Sequence, residues 1–241
     1  MNSEGFRIVG TPRFGGILVV SDHASNRVPD DIDLGIDPAL LDQHIAVDIG
    51  VGAVGALMAQ RPGISAFQAG VSRLVCDVNR EPHAPAAIPI ASDGHAIPGN
   101  ALDHAGHQAR LERFHVPYHA ALAALLDSAP PALILSLHSF TPLLASSDAP
   151  RPWQVGVLYN HDDRAARIAI PLLEADGLAV GDQQPYSGQL LNYTMNRHAE
   201  ADVRPYLGIE VRQDHISDAA GQAVWAERLA RIANVVALRL E

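Results

Sequence analysis

Four short runs of apolar and β-branched residues punctuate the chain: ILVVSD at 17–22, ALILSLH at 132–138, QVGVLY at 154–159 and YLGIEVR at 206–212. The first follows Gly15-Gly16 and the second Pro130-Pro131, and such runs ending in polar residues read as buried strands that open into loops. Between them, residues 38–60, 102–127, 162–175 and 219–240 read as helices, the last with apolar residues at helical spacing. Strands alternating with helices predict an α/β fold, a single domain over residues 1–241 with a largely parallel central sheet flanked by helices. Ligands in such sheets bind beyond the carboxyl ends of the strands. His23, His138, Asn160, His161 and Glu210 all lie at or just after predicted strand ends, so they are candidates to converge. The Pro/Ala/Gly-rich stretch 81–100 is too broken for a regular element and long for a passive connection, which suggests a lid, a binding loop or a surface excursion.

Composition narrows the chemistry. With 241 residues and 48% apolar content the chain can bury one large core. Its single cysteine, Cys76, excludes an internal disulfide and any multi-thiolate metal site, so a metal would need ligands from the 12 histidines and the carboxylates. A net charge of -10 argues against nucleic acid, whose phosphates require a clustered basic surface. All 17 basic residues are arginine. Without lysine, Schiff-base chemistry and a Walker phosphate loop are excluded. No run of about 18 apolar residues occurs, and MNSEGFRIVG lacks the basic and apolar regions of an export signal, which predicts a cytoplasmic protein with no membrane partner.

Candidate chemistry gathers at a few motifs. SDHASNRVP, 21–29, crowds Asp22, His23, Asn26 and Arg27 into the turn after a buried strand, and SLHSF, 136–140, puts His138 at a second strand end. Two imidazoles facing one crevice suit a zinc hydrolase, which takes three protein ligands and leaves an open position. The missing carboxylate is best supplied by Asp48, read as lying on the apolar helix HIAVDIGVGAVGAL, where an unpaired acid is costly; Asp22 is a rival. Glu210, inside the apolar run LGIEVRQD, is suited to be a general base because burial raises a carboxyl pKa. Arg212 and Asp214 are expected on its face of the strand. SRLVCDVNR, 72–80, offers Arg73, Asp77, Asn79 and Arg80, and an arginine fork with a neighbouring asparagine can grip a substrate carboxylate. His161, Gln184, Tyr186 and Ser187 are further pocket candidates.

SDHASNRVP, VDIG, SRLVCDVNR, HAIPGN, SLHSF, QPYSG and GIEVRQD, in this order from Ser21 to Asp214, resemble the N-formylglutamate amidohydrolase family. The resemblance implies an α/β fold similar to zinc exopeptidases and N-acetylmuramoyl amidases, and an enzyme that cleaves the amide of an N-acylated acidic amino acid. It implies one zinc per chain on His23, His138 and the acid of VDIG, Asp48, with Glu210 moving protons. DVNR is similar to the DLNR motif of aspartoacylase-like deacylases, which implies that Asn79 and Arg80 hold a substrate carboxylate; Arg73 and Tyr186 remain substrate-binding candidates from the reading of the residues alone. Where zinc carboxypeptidases carry a glutamate ligand three residues after the first histidine, this chain has Asn26, so its carboxylate ligand must come from elsewhere. Two other readings stand beside this one: a different zinc amidase or peptidase, including a cell-wall amidase, and a metal-binding protein without catalysis.

Overall fold

The structure, a computed structural model, describes residues 3–147 and 149–240. In chain order the elements are β1 (Phe6–Val9), β2 (Ile17–Ser21), α1 (Val51–Met58), β3 (Ile64–Ala69), a hairpin of β4 (Ala91–Ser92) and β5 (His95–Ala96), α2 (His104–Arg110), α3 (Val116–Ser128), β6 (Leu133–Phe140), β7 (Val155–Leu158), α4 (Arg164–Ala175), β8 (Val180–Asp182), α5 (Tyr193–His198), β9 (Tyr206–Arg212) and α6 (Ala219–Leu240). Seven strands form one sheet in the order β1-β3-β2-β6-β9-β7-β8. The four central strands β3, β2, β6 and β9 are mutually parallel, as the alternation of strands and helices predicts. β1 joins β3 antiparallel, and β7 joins β9 antiparallel.

Because side chains alternate along a strand, each central strand feeds two cores. Ile17 and Val19 of β2 with Leu133, Leu135 and Leu137 of β6 pack against α1, α4 and α6, whose Val54, Leu173 and Trp225 lie in the same cluster. Leu18, Val20 and Ile134 face the other way, onto Phe114, Tyr118, Leu122 and Leu126 of the α3 side. His138 and Glu210 fall on this second face, two and four residues beyond Ser136 and Tyr206. Among the described residues, no helix is long and apolar enough to cross a membrane.

Several expected boundaries move. Residues 38–60 are not one helix: a 3-10 turn at Pro38–Asp42, capped by the Asp37 side chain, gives way to irregular backbone before α1 begins at Val51. Asp48 therefore stands in the turn ahead of the helix, not on it. Gly50 enforces the break with φ 81, and a Cβ there would lie 2.0 Å from the Ile216 carbonyl oxygen. The stretch 81–100 holds two 3-10 turns and the β4-β5 hairpin. Residues 102–127 run nearly as expected, with a π turn at Leu111–His115 joining α2 to α3. Asp214 lies past the end of β9, in a 3-10 turn, and pairs with Arg212 at 2.8 Å rather than facing the pocket beside Glu210.

Candidate metal centre and substrate pocket

The parallel strands β2 and β6 deliver His23 and His138 to the same end of the sheet, and the turn before α1 carries Asp48 between them. The Asp48 backbone N–H donates to the His23 carbonyl at 3.0 Å, which ties that turn to the end of β2. Asp48 Oδ2 lies 3.3 Å from His23 Nδ1 and 2.9 Å from His138 Nδ1, and it accepts from the Ser139 backbone N–H at 3.3 Å. All three side chains are buried, and their donor atoms lie within 4.8 Å of one another. Nitrogen and oxygen ligands of a tetrahedral zinc sit ~2.0–2.2 Å from the ion and so ~3.3 Å from each other, and the two distances from Asp48 to the histidines, 3.3 and 2.9 Å, are close to that.

The outer nitrogen of each histidine meets another carboxylate. His23 Nε2 contacts Asp77 Oδ1 at 2.7 Å, and His138 Nε2 stands 3.4 Å from Asp22 Oδ2. A carboxylate behind a ligand imidazole orients the ring and raises its basicity. Asp22, the rival for the third ligand, thus lies behind the His138 ring, on the side away from Asp48, where its Oδ1 accepts from Tyr118 Oη at 2.7 Å and Thr194 Oγ1 at 2.9 Å. Burial alone would raise the pKa of Asp22, Asp48 and Asp77, but the facing histidines, and Arg73 for Asp77, hold all three below the ordinary range. Counting Glu210, four buried carboxylates surround the two imidazoles, and with the imidazoles neutral, as metal ligands are, they outnumber the guanidiniums of Arg73 and Arg80, a balance that suits a divalent cation.

Glu210 pairs in register with His138 across β6 and β9. Burial pushes its pKa up to about 7; a charged His138 opposes the shift and Asp48 adds to it. Its Oε2 is buried and accepts no hydrogen bond among the described residues. Such a group is poised between its two protonation states near neutral pH.

His23, Asp48, His138 and Glu210 line one cavity of about 260 Å³, as do Arg73, Asn79, Arg80 and Tyr186. Arg73 bridges Asp48 (3.3 Å) and Asp77 (2.8 Å), which together raise its pKa despite burial. Arg80 Nη1 donates to the Asn79 carbonyl at 3.0 Å, and the Asn79 side chain accepts from the Thr194 N–H at 3.0 Å. Tyr186 accepts from Arg151 at 3.0 Å, with the guanidinium over its ring. Gln184 and Ser187 do not line this cavity. Nor do Asn160 and His161: β7 runs antiparallel to β9, so they leave the sheet at the opposite end, where the Asn160 N–H donates to Tyr206 and the His161 N–H to Glu200. Asn26 bonds Asp42 at the surface.

Two contributors escape a strand-end reading. Asp77 sits in the motif that supplies Asn79 and Arg80, yet its partner His23 is 54 positions away. Asp93, at the tip of the β4-β5 hairpin with φ 41, reaches the cavity mouth and accepts from His44 and from the N–H groups of Ala145 and Ser146 at 2.9–3.1 Å. The Asp93-Gly94 pair, a common hairpin-turn signal, marks it in the sequence.

Fold and site define an α/β protein with a candidate His₂-carboxylate metal centre and a buried acid at the carboxyl edge of a mostly parallel sheet. Residues 15–217 match the N-formylglutamate amidohydrolase family, and the chain belongs to it. It is an amidohydrolase. Among solved structures it is similar to a gene product of Agrobacterium tumefaciens, with 28% identity, TM-score 0.90, and coverage of 98% of this chain and 95% of the other. It also shares its fold with an N-formylglutamate amidohydrolase from Ralstonia eutropha, at 22% identity, TM-score 0.72, and coverage of 99% and 98%. No curated protein matches the chain.

Proposed function

We propose that the chain folds as one catalytic domain and is a zinc-dependent hydrolase of N-acylated amino acids, with N-formyl-L-glutamate or a related acidic N-acyl amino acid as substrate. The observation that carries this reading is the meeting of His23, Asp48 and His138 with Glu210 in a cavity that also exposes Arg80 and Asn79. The first three would hold a zinc ion, which when bound would supply Lewis-acid polarisation of the amide carbonyl and a lower pKa for the attacking water. Asp77 and Asp22 keep the two imidazoles oriented from behind. Glu210 accepts the proton of the attacking water and returns it to the leaving amine, which its pKa near 7 allows in both directions. Arg80 takes a substrate carboxylate in a two-pronged contact, with Asn79, Arg73 and Tyr186 around it. Only two Arg73 N–H groups are spent on Asp48 and Asp77, so others remain for substrate.

Metal analysis of the purified protein together with a panel of N-formyl and N-acetyl amino acids tests this reading. About one zinc per chain is expected, with the highest kcat/KM on an acidic N-acyl amino acid. His23→Ala and His138→Ala are each expected to lose stoichiometric zinc. Full zinc content in both variants, or bound zinc without turnover of any member of the panel, would overturn the assignment.

A further inference from the structure

Behind the loop that carries Asn79 and Arg80 lies a group of buried histidines for which the reaction has no use. His115, His119 and His198 are 2%, 1% and 4% exposed. His115 Nε2 meets the Arg80 carbonyl at 3.0 Å, His119 Nε2 meets the Val78 carbonyl at 2.9 Å, and His198 Nε2 meets His119 Nδ1 at 2.9 Å. The rings of His119 and His198 stack with centroids 5.1 Å apart, and those of His115 and His119 lie 4.4 Å apart.

Chemistry gives this chain of contacts a direction. A carbonyl only accepts, so Nε2 of both His115 and His119 must carry the proton. A neutral His119 then presents a lone pair at Nδ1, which accepts from Nε2–H of His198. Burial keeps all three rings neutral, lowering the pKa of His119 to about 3 and of His198 to about 4, so each ring holds one proton in a defined place. His115 and His119 are four residues apart and so share one helix face. They reach alternate carbonyls of the loop, and a π turn, a feature often found at functional sites, ends at His115. The other two carbonyls of residues 77–80 are taken from within the loop: the Arg80 N–H donates to the Asp77 carbonyl at 3.2 Å, and Arg80 Nη1 donates to the Asn79 carbonyl at 3.0 Å. All four consecutive carbonyls of residues 77–80 are thereby satisfied, half of them by histidine.

We infer that His115 and His119, backed by His198, are positioning residues that hold the backbone of residues 77–80 so that Asn79 and Arg80 face the substrate carboxylate. This rests on the proposed role of Arg80 as the carboxylate clamp. The histidines touch the Val78 and Arg80 carbonyls and not Asp77, which backs His23 and whose carbonyl is held by the Arg80 N–H, so a brace of this kind is expected to act on substrate binding while the metal stays bound, which separates it from a role in general packing.

The test compares His115→Leu and His119→Leu with His115→Gln and His119→Gln, whose amides retain a donor, in the zinc-loaded protein. KM for N-formyl-L-glutamate and Kd for glutarate, a dicarboxylate without an amide, are measured in each. Both are expected to rise about fivefold in the leucine variants, the equivalent of one neutral hydrogen bond, with kcat within about twofold and zinc content unchanged. The glutamine variants are expected to recover most of the loss. Arg80→Ala is the reference: it raises both constants strongly, and adding His119→Leu to it costs little more. If Arg80→Ala changes neither constant, the clamp itself is wrong and the brace falls with it. If Arg80→Ala acts but the leucine variants bind like wild type, or lower kcat at constant KM, the clamp stands and the brace is overturned. Should a leucine variant not fold, His198→Phe carries the decision, since it removes the donor to His119 without touching the loop: a KM raised about twofold or more supports the brace, and an unchanged KM overturns it.

Discussion

Glu210 and Asp48 are both buried acids beside His138, yet burial pushes one toward neutrality while the facing histidines hold the other ionised. That difference underlies the different roles proposed for them. Glu210→Gln preserves shape and removes the proposed proton acceptor, so the variant is expected to keep zinc and its melting temperature while kcat/KM falls at least ~10²-fold. Wild-type turnover would make Glu210 a bystander, and loss of zinc would make it a ligand. The two aspartates around His138 separate in the same way. Asp48→Asn is expected to lose stoichiometric zinc, whereas Asp22→Asn, altering a group behind the ring, is expected to bind zinc ~10- to 100-fold more weakly. Equal losses in a zinc titration, or the reverse order, would move Asp22 into the ligand set. The residue types of the site were legible because a polar residue at the end of an apolar run stands out. Asp22 and Asp48 could not be told apart that way, since the distinction is which nitrogen of a distant ring each one faces.

At the scale of elements, the four apolar runs and the helices at 102–127, 162–175 and 219–240 occur close to where the pattern puts them. β1, β3 and β8 carried no comparable signal: two are edge strands of four and three residues, and ISAFQA in β3 has one β-branched side chain. Strand direction is also silent in a pattern of alternation, which reads alike both ways, and for that reason Asn160 and His161 were expected at the site and leave the sheet at its far end. The helix expected at 38–60 fails at Gly50, whose left-handed backbone lets the chain turn so that Asp48 reaches both histidines. Gly50→Ala brings a Cβ to 2.0 Å from the Ile216 carbonyl oxygen and strains φ as well. The variant is expected to be destabilised by at least ~1–2 kcal/mol in urea unfolding and to bind zinc more weakly. Unchanged zinc affinity would mean that this turn does not set the Asp48 position.

For the molecule as a whole, the buried neutral histidines shape stability against pH. The folded pKa of His119 is about 3 and that of His198 about 4, both below the ~6.5 of an unfolded histidine. As pH falls below ~6.5 the unfolded chain takes up protons that the folded chain refuses, so these groups lose stability down to their folded pKa at ~1.4 kcal/mol per pH unit each. His138, whose pKa its aspartate neighbours raise, contributes with the opposite sign. The comparison is therefore between wild type and His119→Gln, by urea unfolding at pH 7 and pH 4.5. Wild type is expected to lose more stability over that interval than the variant, and parallel losses would contradict a neutral buried His119.

The linear chain by itself determined the α/β class, the family, that any metal would have to be held by histidine and carboxylate, and a short list of candidate residues for the site, because each rests on residue type and local spacing. Tertiary structure alone decided that Asp48 reaches both histidines from a turn ahead of α1, that Asp22 and Asp77 stand behind the two histidines, that β7 runs backwards, and that His115 and His119 meet the carbonyls of Arg80 and Val78. Those are relations between groups up to 172 positions apart, as between Thr194 and Asp22. They depend on strand order, strand direction and the facing of individual ring nitrogens, and no local pattern of hydrophobic and polar residues encodes any of the three.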